Sequence, residues 1–129
     1  FDASLSTDGD ADRPLLGDEQ GNWLRGDVAG ILCAQALGAQ AVVTTVSCNT
    51  ALELSGAFAT VRRTRIGSPY VIAGIEALIA AGEQSVVGFE PNGGFLVGTP
   101  LARTGGALSP LMTRDAVLPI LCFQHKSLR

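Results

Sequence analysis

Ala41-Val42-Val43-Thr44-Thr45-Val46 is a short run of small and β-branched residues with no charge and no clean polar alternation. A strand with one face in water alternates apolar and polar, whereas a run like this one suits a strand covered on both faces in a parallel sheet. Its flanks read the same way. Upstream, Asp27 can cap a helix that runs to about Leu37 and stops at Gly38. Downstream, Thr50 and Glu53 have the spacing of a capping box, which starts a short helix ended by Gly56. Thr60 to Ile66 reads as the next strand. Ser68-Pro69 then opens a helix whose Val71, Ile72, Ile75, Leu78 and Ile79 recur at helical spacing before Gly82. Ser85 to Phe89 and Phe95 to Val97 flank Glu90-Pro91-Asn92-Gly93-Gly94 as a hairpin. Thr113 is placed to cap a last helix, in which Pro119 removes one hydrogen bond and bends the axis. Alternation of this kind predicts an α/β fold: a layered α/β/α domain over residues 26–129 with a mostly parallel, mixed sheet. Residues 1–25 form a short β segment ahead of it.

That segment holds the chain's densest chemistry, Thr7-Asp8-Gly9-Asp10-Ala11-Asp12-Arg13. Three carboxylates at alternate positions, separated by small residues, can converge on one hard divalent cation, and Mg2+ suits three oxygen donors that leave positions open. Arg13 is placed to grip a phosphate with two parallel donors. A calcium-binding module is the alternative, with Asp8, Asp10 and Asp12 at positions one, three and five and Glu19 at position twelve. Position six, where an EF-hand needs glycine, is Arg13, followed by Pro14, and the preceding residues are too few for an entering helix.

Asp8-Gly9-Asp10-Ala11-Asp12-Arg13 resembles the metal loop of the α-D-phosphohexomutase superfamily, usually DGDGDR, with alanine for its middle glycine. Phe89-Glu90-Pro91-Asn92-Gly93-Gly94 resembles that family's sugar-binding loop, commonly GExSGH. Glu90 and Gly93 match, Asn92 replaces the serine and Gly94 the histidine. Weaker echoes lie at Thr64-Arg65-Ile66-Gly67 and Thr113-Arg114-Asp115. No phosphoserine segment of the TASHNP kind and no RxSGTEP-like phosphate loop occurs. The resemblance therefore implies a piece of a four-domain enzyme: residues 1–25 the end of its second domain, residues 26–129 its third. It further implies a Mg2+-dependent exchange of phosphate between the 1- and 6-positions of a hexose, mannose before glucose, through a phosphoserine and a bisphosphorylated sugar. Asp8, Asp10 and Asp12 would hold the metal, Arg13 would steady the phosphoryl group, and Glu90, Asn92 and Gly93 would bind substrate; apart from the resemblance, Arg65, beside the Gly67 turn, is the member of the basic cluster best placed for a substrate phosphate. The missing domains are expected partners, and the piece alone is expected to be inactive.

Composition fits such a piece of a cytoplasmic enzyme. The chain has 129 residues, 47% of them hydrophobic, and a net charge of −3. The only basic cluster, Arg62, Arg63 and Arg65, is too small a face for nucleic acid, and no apolar run is long enough for a membrane span. Cys33, Cys48 and Cys122 form no paired spacing, so neither a disulfide framework nor a zinc site is expected; Cys48, in a loop, is expected to be accessible. His125 falls in the polar ending Gln124-His125-Lys126-Ser127-Leu128-Arg129, read as a frayed tail.

Overall fold

The computed structural model describes residues 1–127. Its main sheet has five strands: β3 (Ala41–Thr45), β4 (Thr60–Thr64), β5 (Val86–Phe89), β6 (Phe95–Val97) and β9 (Leu111–Asp115), in the order β4-β3-β5-β6-β9. β3 runs parallel to both β4 and β5, and only β6 is reversed, pairing antiparallel with β5 and β9. The sheet is therefore mixed and mostly parallel, as expected.

Helix α1 (Gly26–Ala36) and helix α4 (Val117–Ser127) pack against each other over one face, and helix α3 (Ser68–Ala80) covers the other. Successive residues of the quoted run alternate between the two layers. Val42 joins Ile31, Cys33, Ala34 and Leu37 of α1, while Ala41 and Val43 join Val71, Ile75 and Leu78 of α3. Both faces are therefore dry, and all five residues of β3 are buried. Val87 and Phe89 face α1, and Val86 and Leu96 face α3. Gly38 and Gly82 end α1 and α3 with positive φ, where a glycine carries no steric cost. Ile79, expected on the buried stripe, stands at the surface.

Ahead of the sheet, β1 (Ala3–Thr7) and β2 (Pro14–Asp18) make a separate antiparallel hairpin whose connecting loop is the acidic stretch. The segment Leu101–Arg103 (β7) pairs with Gly106–Leu108 (β8) in a second small hairpin that the sequence reading missed. The same reading also misplaced the last helix. Thr113 lies inside β9 and caps nothing; Asp115 Oδ1 accepts a hydrogen bond from the Val117 N–H at 2.8 Å instead. Pro119 consequently sits in the first turn, where no intrahelical N–H is required, and has no hydrogen bond to remove. α4 includes His125, which is exposed on a helix rather than in a frayed tail. Leu128 and Arg129 of that expected tail lie outside the described residues. Among the described residues no helix is long and apolar enough to cross a membrane.

Two polar side chains fasten the loops at the carboxyl end of the sheet. Arg63 replaces the expected capping box: its guanidinium holds both oxygens of Glu53 at 2.8 Å and donates to the carbonyls of Thr45, Cys48 and Asn49. Thr50 makes no capping hydrogen bond, and Asn49 Oδ1 accepts from the Ala51 N–H at the start of α2 (Ala51–Leu54). The same closure buries Cys48, contrary to expectation, and burial pushes its thiol up from its ordinary value.

Asp27, within the first turn of α1 rather than ahead of it, is fully buried. It accepts from the Val28 N–H at 2.9 Å and the Asn49 N–H at 3.1 Å, and pairs with Arg25 at 3.1 Å. Burial alone would raise the Asp27 carboxyl, but the Arg25 hydrogen bond and the Asn49 and Val28 N–H groups outweigh it and hold the group below its usual 3.8. A depressed folded value means that below 3.8 the unfolded chain binds more protons, so the contribution is complete well above that pH and drains away as pH falls through the folded value. Asp27→Asn is expected to cost about 2 kcal/mol at neutral pH, the scale of hydrogen bonds to a charged acceptor. Urea titrations at a series of pH values should show the gap between wild type and variant closing below about pH 4. A gap independent of pH would mean that the charge of Asp27 does no work.

Candidate functional site

The β1–β2 loop folds its carboxylates inward. Asp8 N–H donates to the Arg13 carbonyl at 3.2 Å and its own carbonyl accepts from Ala11 N–H at 3.1 Å, closing the loop. Asp8, Asp10 and Asp12 each bring one carboxylate oxygen within 4.8 Å of the others. Arg13 folds back over them, its Nε 3.5 Å from Asp8 Oδ2 and 3.8 Å from Asp12 Oδ1. Desolvation would raise the Asp8 carboxyl, yet the hydrogen bond from the Arg13 backbone N–H and the charge of the Arg13 guanidinium hold it below its ordinary value.

Ala11 turns the loop with a φ of 61°, in the left-handed region that costs a residue with a Cβ about 1–2 kcal/mol. The backbone thus supplies the reason that a glycine suits this place, and alanine there is strained. Ala11→Gly should relieve that strain at some entropic cost in the unfolded chain, for a net gain of about 0.5–1 kcal/mol. Thermal unfolding checks it, and a loss of stability would contradict the strain argument.

Glu19 does not join the cluster. It follows Asp18, whose register partner is Ala3, whereas Pro14 pairs with Thr7 beside the loop. A five-residue strand, about 17 Å at ~3.4 Å per residue, separates Glu19 from the aspartates, so the twelve-residue calcium loop is not formed.

The Glu90–Gly94 loop at the end of β5 is brought to the same place. Gly93, with a φ of 89°, donates to the Glu90 carbonyl at 2.9 Å, and Asn92 Oδ1 accepts from Gly94 N–H at 2.9 Å. Asn92 thereby spends its side-chain oxygen inside the loop and keeps its amide N–H groups for other use. A Cβ on Gly93 would lie 2.9 Å from Pro14 Cγ, and one on Gly26 would strike the Pro91 carbonyl. The loop is thus wedged between the exit of the acidic loop and the start of α1. Glu90 is 5% exposed, and its Oε2 has no hydrogen-bond partner among the described residues; nor has the buried Asp12 Oδ1.

Arg114, in β9, spans the gap between the loops. Its Nη2 is 2.7 Å from Asp12 Oδ2 and its Nη1 4.0 Å from Glu90 Oε2. Sequence reading noted Thr113-Arg114-Asp115 only as a weaker family echo, because nothing local links position 114 to positions 12 and 90. Arg65 is not brought to this group. It follows β4 at the edge of the sheet, two strands from β5, exposed, with its guanidinium 5.9 Å from the Tyr70 ring centre.

Two unpartnered buried carboxylate oxygens and three converging aspartates are a donor set suited to a hard divalent cation beside a group that recognises hydroxyls. Comparison with known proteins gives the family of the fold. Residues 25–125 match the family described as phosphoglucomutase/phosphomannomutase, alpha/beta/alpha domain III. A phosphomannomutase of Salmonella muenchen is 52% identical over 121 residues, covering 94% of this chain and 25% of that protein. Another, of Sinorhizobium fredii, is 48% identical over 125 residues, covering 97% of this chain and 26% of its own. The crystal structure of a phosphoglucomutase/phosphomannomutase family protein from Burkholderia thailandensis superposes with a TM-score of 0.67 at 17% identity, over 98% of this chain and 26% of the other, a likeness of fold. The chain spans about a quarter of the length of these relatives. With its mixed five-stranded sheet and helices on both faces, the chain belongs to the phosphoglucomutase/phosphomannomutase family, in which it matches the third, α/β/α domain.

Proposed function

We propose that this chain is the metal- and sugar-binding part of a phosphohexomutase, an isomerase that moves a phosphoryl group between the 1- and 6-positions of a hexose, with mannose phosphate the first substrate and glucose phosphate the second. The observation that carries this reading is the meeting of a three-aspartate cluster with a buried, unpartnered glutamate in one site. The names of the two bacterial relatives support the choice of mannose. We assign residues 1–25 to the end of a preceding domain and 26–129 to the third; the match beginning at residue 25 supports that division.

Asp8, Asp10 and Asp12 would hold Mg2+, with the free Oδ1 of Asp12 available to it. When bound, the ion would supply neutralisation of phosphoryl oxygens as charge moves between the donor and acceptor oxygens. Arg13, its side chain 45% exposed, has N–H groups open to an incoming phosphoryl group. Glu90 would accept hydrogen bonds from sugar hydroxyls through Oε2, and burial makes an unmet acceptor there costly, so a ligand hydroxyl gains by meeting it. The Asn92 amide N–H groups would donate to a neighbouring hydroxyl. These residues orient and hold; the phosphoserine donor and the phosphate-anchoring loop belong to other domains, so the chain alone is expected to bind without turnover.

An NMR titration of the labelled chain with Mn2+, with Ca2+ in parallel, tests the reading. Broadening centred on Thr7 to Arg13, with Ca2+ no better and Glu19 undisturbed, is expected. A Ca2+-selective response that reaches Glu19, or silence with both ions, would overturn it.

A further inference from the structure

Arg114 pairs with both the acidic loop and Glu90, and its two contacts are unequal. The Nη2 group is in close ion-pair contact with Asp12 Oδ2 at 2.7 Å, while Nη1 is 4.0 Å from Glu90 Oε2, too far for a hydrogen bond. Its remaining guanidinium N–H groups hold no hydrogen bond among the described residues. Glu90 Oε2 is buried and left without a donor. A planar fork with spare donors therefore stands between an acceptor it occupies and one it almost reaches.

Position 94 makes this possible. A Cβ there would lie 2.8 Å from Arg114 Cδ and 3.0 Å from Cγ, so the arginine stem crosses space that any other residue's side chain would claim. The departure from the usual last residue of the sugar loop thus has a physical partner on β9.

We infer that Arg114 is a positioning residue that couples the two loops: a divalent cation taken up by Asp8, Asp10 and Asp12 through Asp12 Oδ1 draws off the charge of that carboxylate, and the guanidinium so loosened from Oδ2 closes on Glu90 Oε2. No proton moves and no bond breaks; one ion pair is exchanged for another. Glu90 is thereby set for the sugar only when the metal site is filled. Linkage makes the effect reciprocal, so a ligand that fixes Glu90 against Arg114 tightens the cation site by the same factor. The inference rests on the mutase reading of the aspartate cluster.

The test is a Mg2+ titration of the labelled chain, following the amides of Thr7 to Arg13 and those of Glu90, Gly93 and Gly94 separately. Wild type is expected to show both sets shifting with one midpoint. In Arg114→Ala the first set should still shift and the second fall silent. Arg114→Lys keeps charge and stem but lacks the fork, and is expected to lose the second response as well. This variant decides the matter if the alanine variant fails to give a dispersed spectrum. Gly94→Ala, which removes no charged group, should displace the stem and give the same loss. Shifts confined to Thr7–Arg13 in wild type, or a Glu90 response that survives in both Arg114 variants, would overturn the coupling and leave the metal reading intact. No shift in either set would remove both.

Discussion

Phe89→Ala is expected to cost about 3–5 kcal/mol of folding stability, the range for truncating a buried aromatic ring, and so a large part of the 5–15 kcal/mol that holds a typical domain together. The ring is fully buried and stacks on Phe95, with centroids 6.1 Å apart and planes within 7°. Gly30 of α1 lies flat against it, at a place where any Cβ would strike the ring. The helix is thereby drawn close to the sheet. The effect reaches the site because the Phe89 carbonyl accepts from Thr44 Oγ1 at 2.7 Å, which anchors the last residue of β5 immediately before Glu90. Urea unfolding with an unchanged slope checks the prediction, and Phe89→Leu should cost less than half as much. A loss under about 1 kcal/mol for the alanine variant would mean that the site collapses around the gap and that the ring is not a keystone of the α1 layer.

The parts of the fold legible in the sequence are those decided by neighbours along the chain. The buried run at Ala41–Thr45, the stripe Val71, Ile75 and Leu78, and the stops at Gly38 and Gly82 each follow from local periodicity or backbone freedom, and the structure repeats them. What was lost depended on partners distant in sequence. Thr50 and Glu53 have the right spacing to cap one another, but Arg63 offers Glu53 a charged, bidentate partner and wins it, since such a pair is stronger than a neutral capping bond. Thr113 and Asp115 are both competent helix starters, and Pro119 was the signal that separated them. A start at Thr113 puts the proline in the helix interior at a cost of about 3 kcal/mol, whereas a start near Val117 puts it where no N–H is needed. The β7–β8 hairpin turns on Thr104-Gly105, a two-residue link of ordinary type that short strands left without a visible pattern.

The site divides in the same way. Its acidic loop and its Glu90 loop were readable because each is contiguous and each has a spacing that chemistry constrains. Arg114 was not, because its role exists only once β9 lies beside β6 at the edge of the sheet. Arg65 shows the opposite limit: it follows a strand, as site residues of parallel sheets do, but that strand is the far edge, so it stands apart from the acidic and Glu90 loops, and the sheet order is not written in any one segment.

Asp10→Asn is expected to weaken Mn2+ or Mg2+ binding at least about 100-fold, since disturbing a neighbour of a metal ligand already costs 10–100-fold and here the ligand's own charge is removed. The substitution is suited to the question because Asp10 is exposed on the loop, so the loop's own closure does not depend on it. The bonds between Asp8 and Arg13 and between Asp8 and Ala11 that shape the turn remain. Stability in the absence of metal should move by no more than about 0.5 kcal/mol, and in the direction of a gain, because two neighbouring carboxylates lose a like charge. A metal-dependent increase in the unfolding temperature, present in wild type and absent in the variant, would give the same answer without a spectroscopic probe. Asp8→Asn is the informative contrast. Asp8 accepts from the Arg13 N–H at 3.2 Å and pairs with its Nε at 3.5 Å, so that change should lower stability and metal affinity together. If Asp10→Asn binds the ion as tightly as wild type, the three aspartates are an acidic turn held by two arginines and the mutase mechanism has lost its metal.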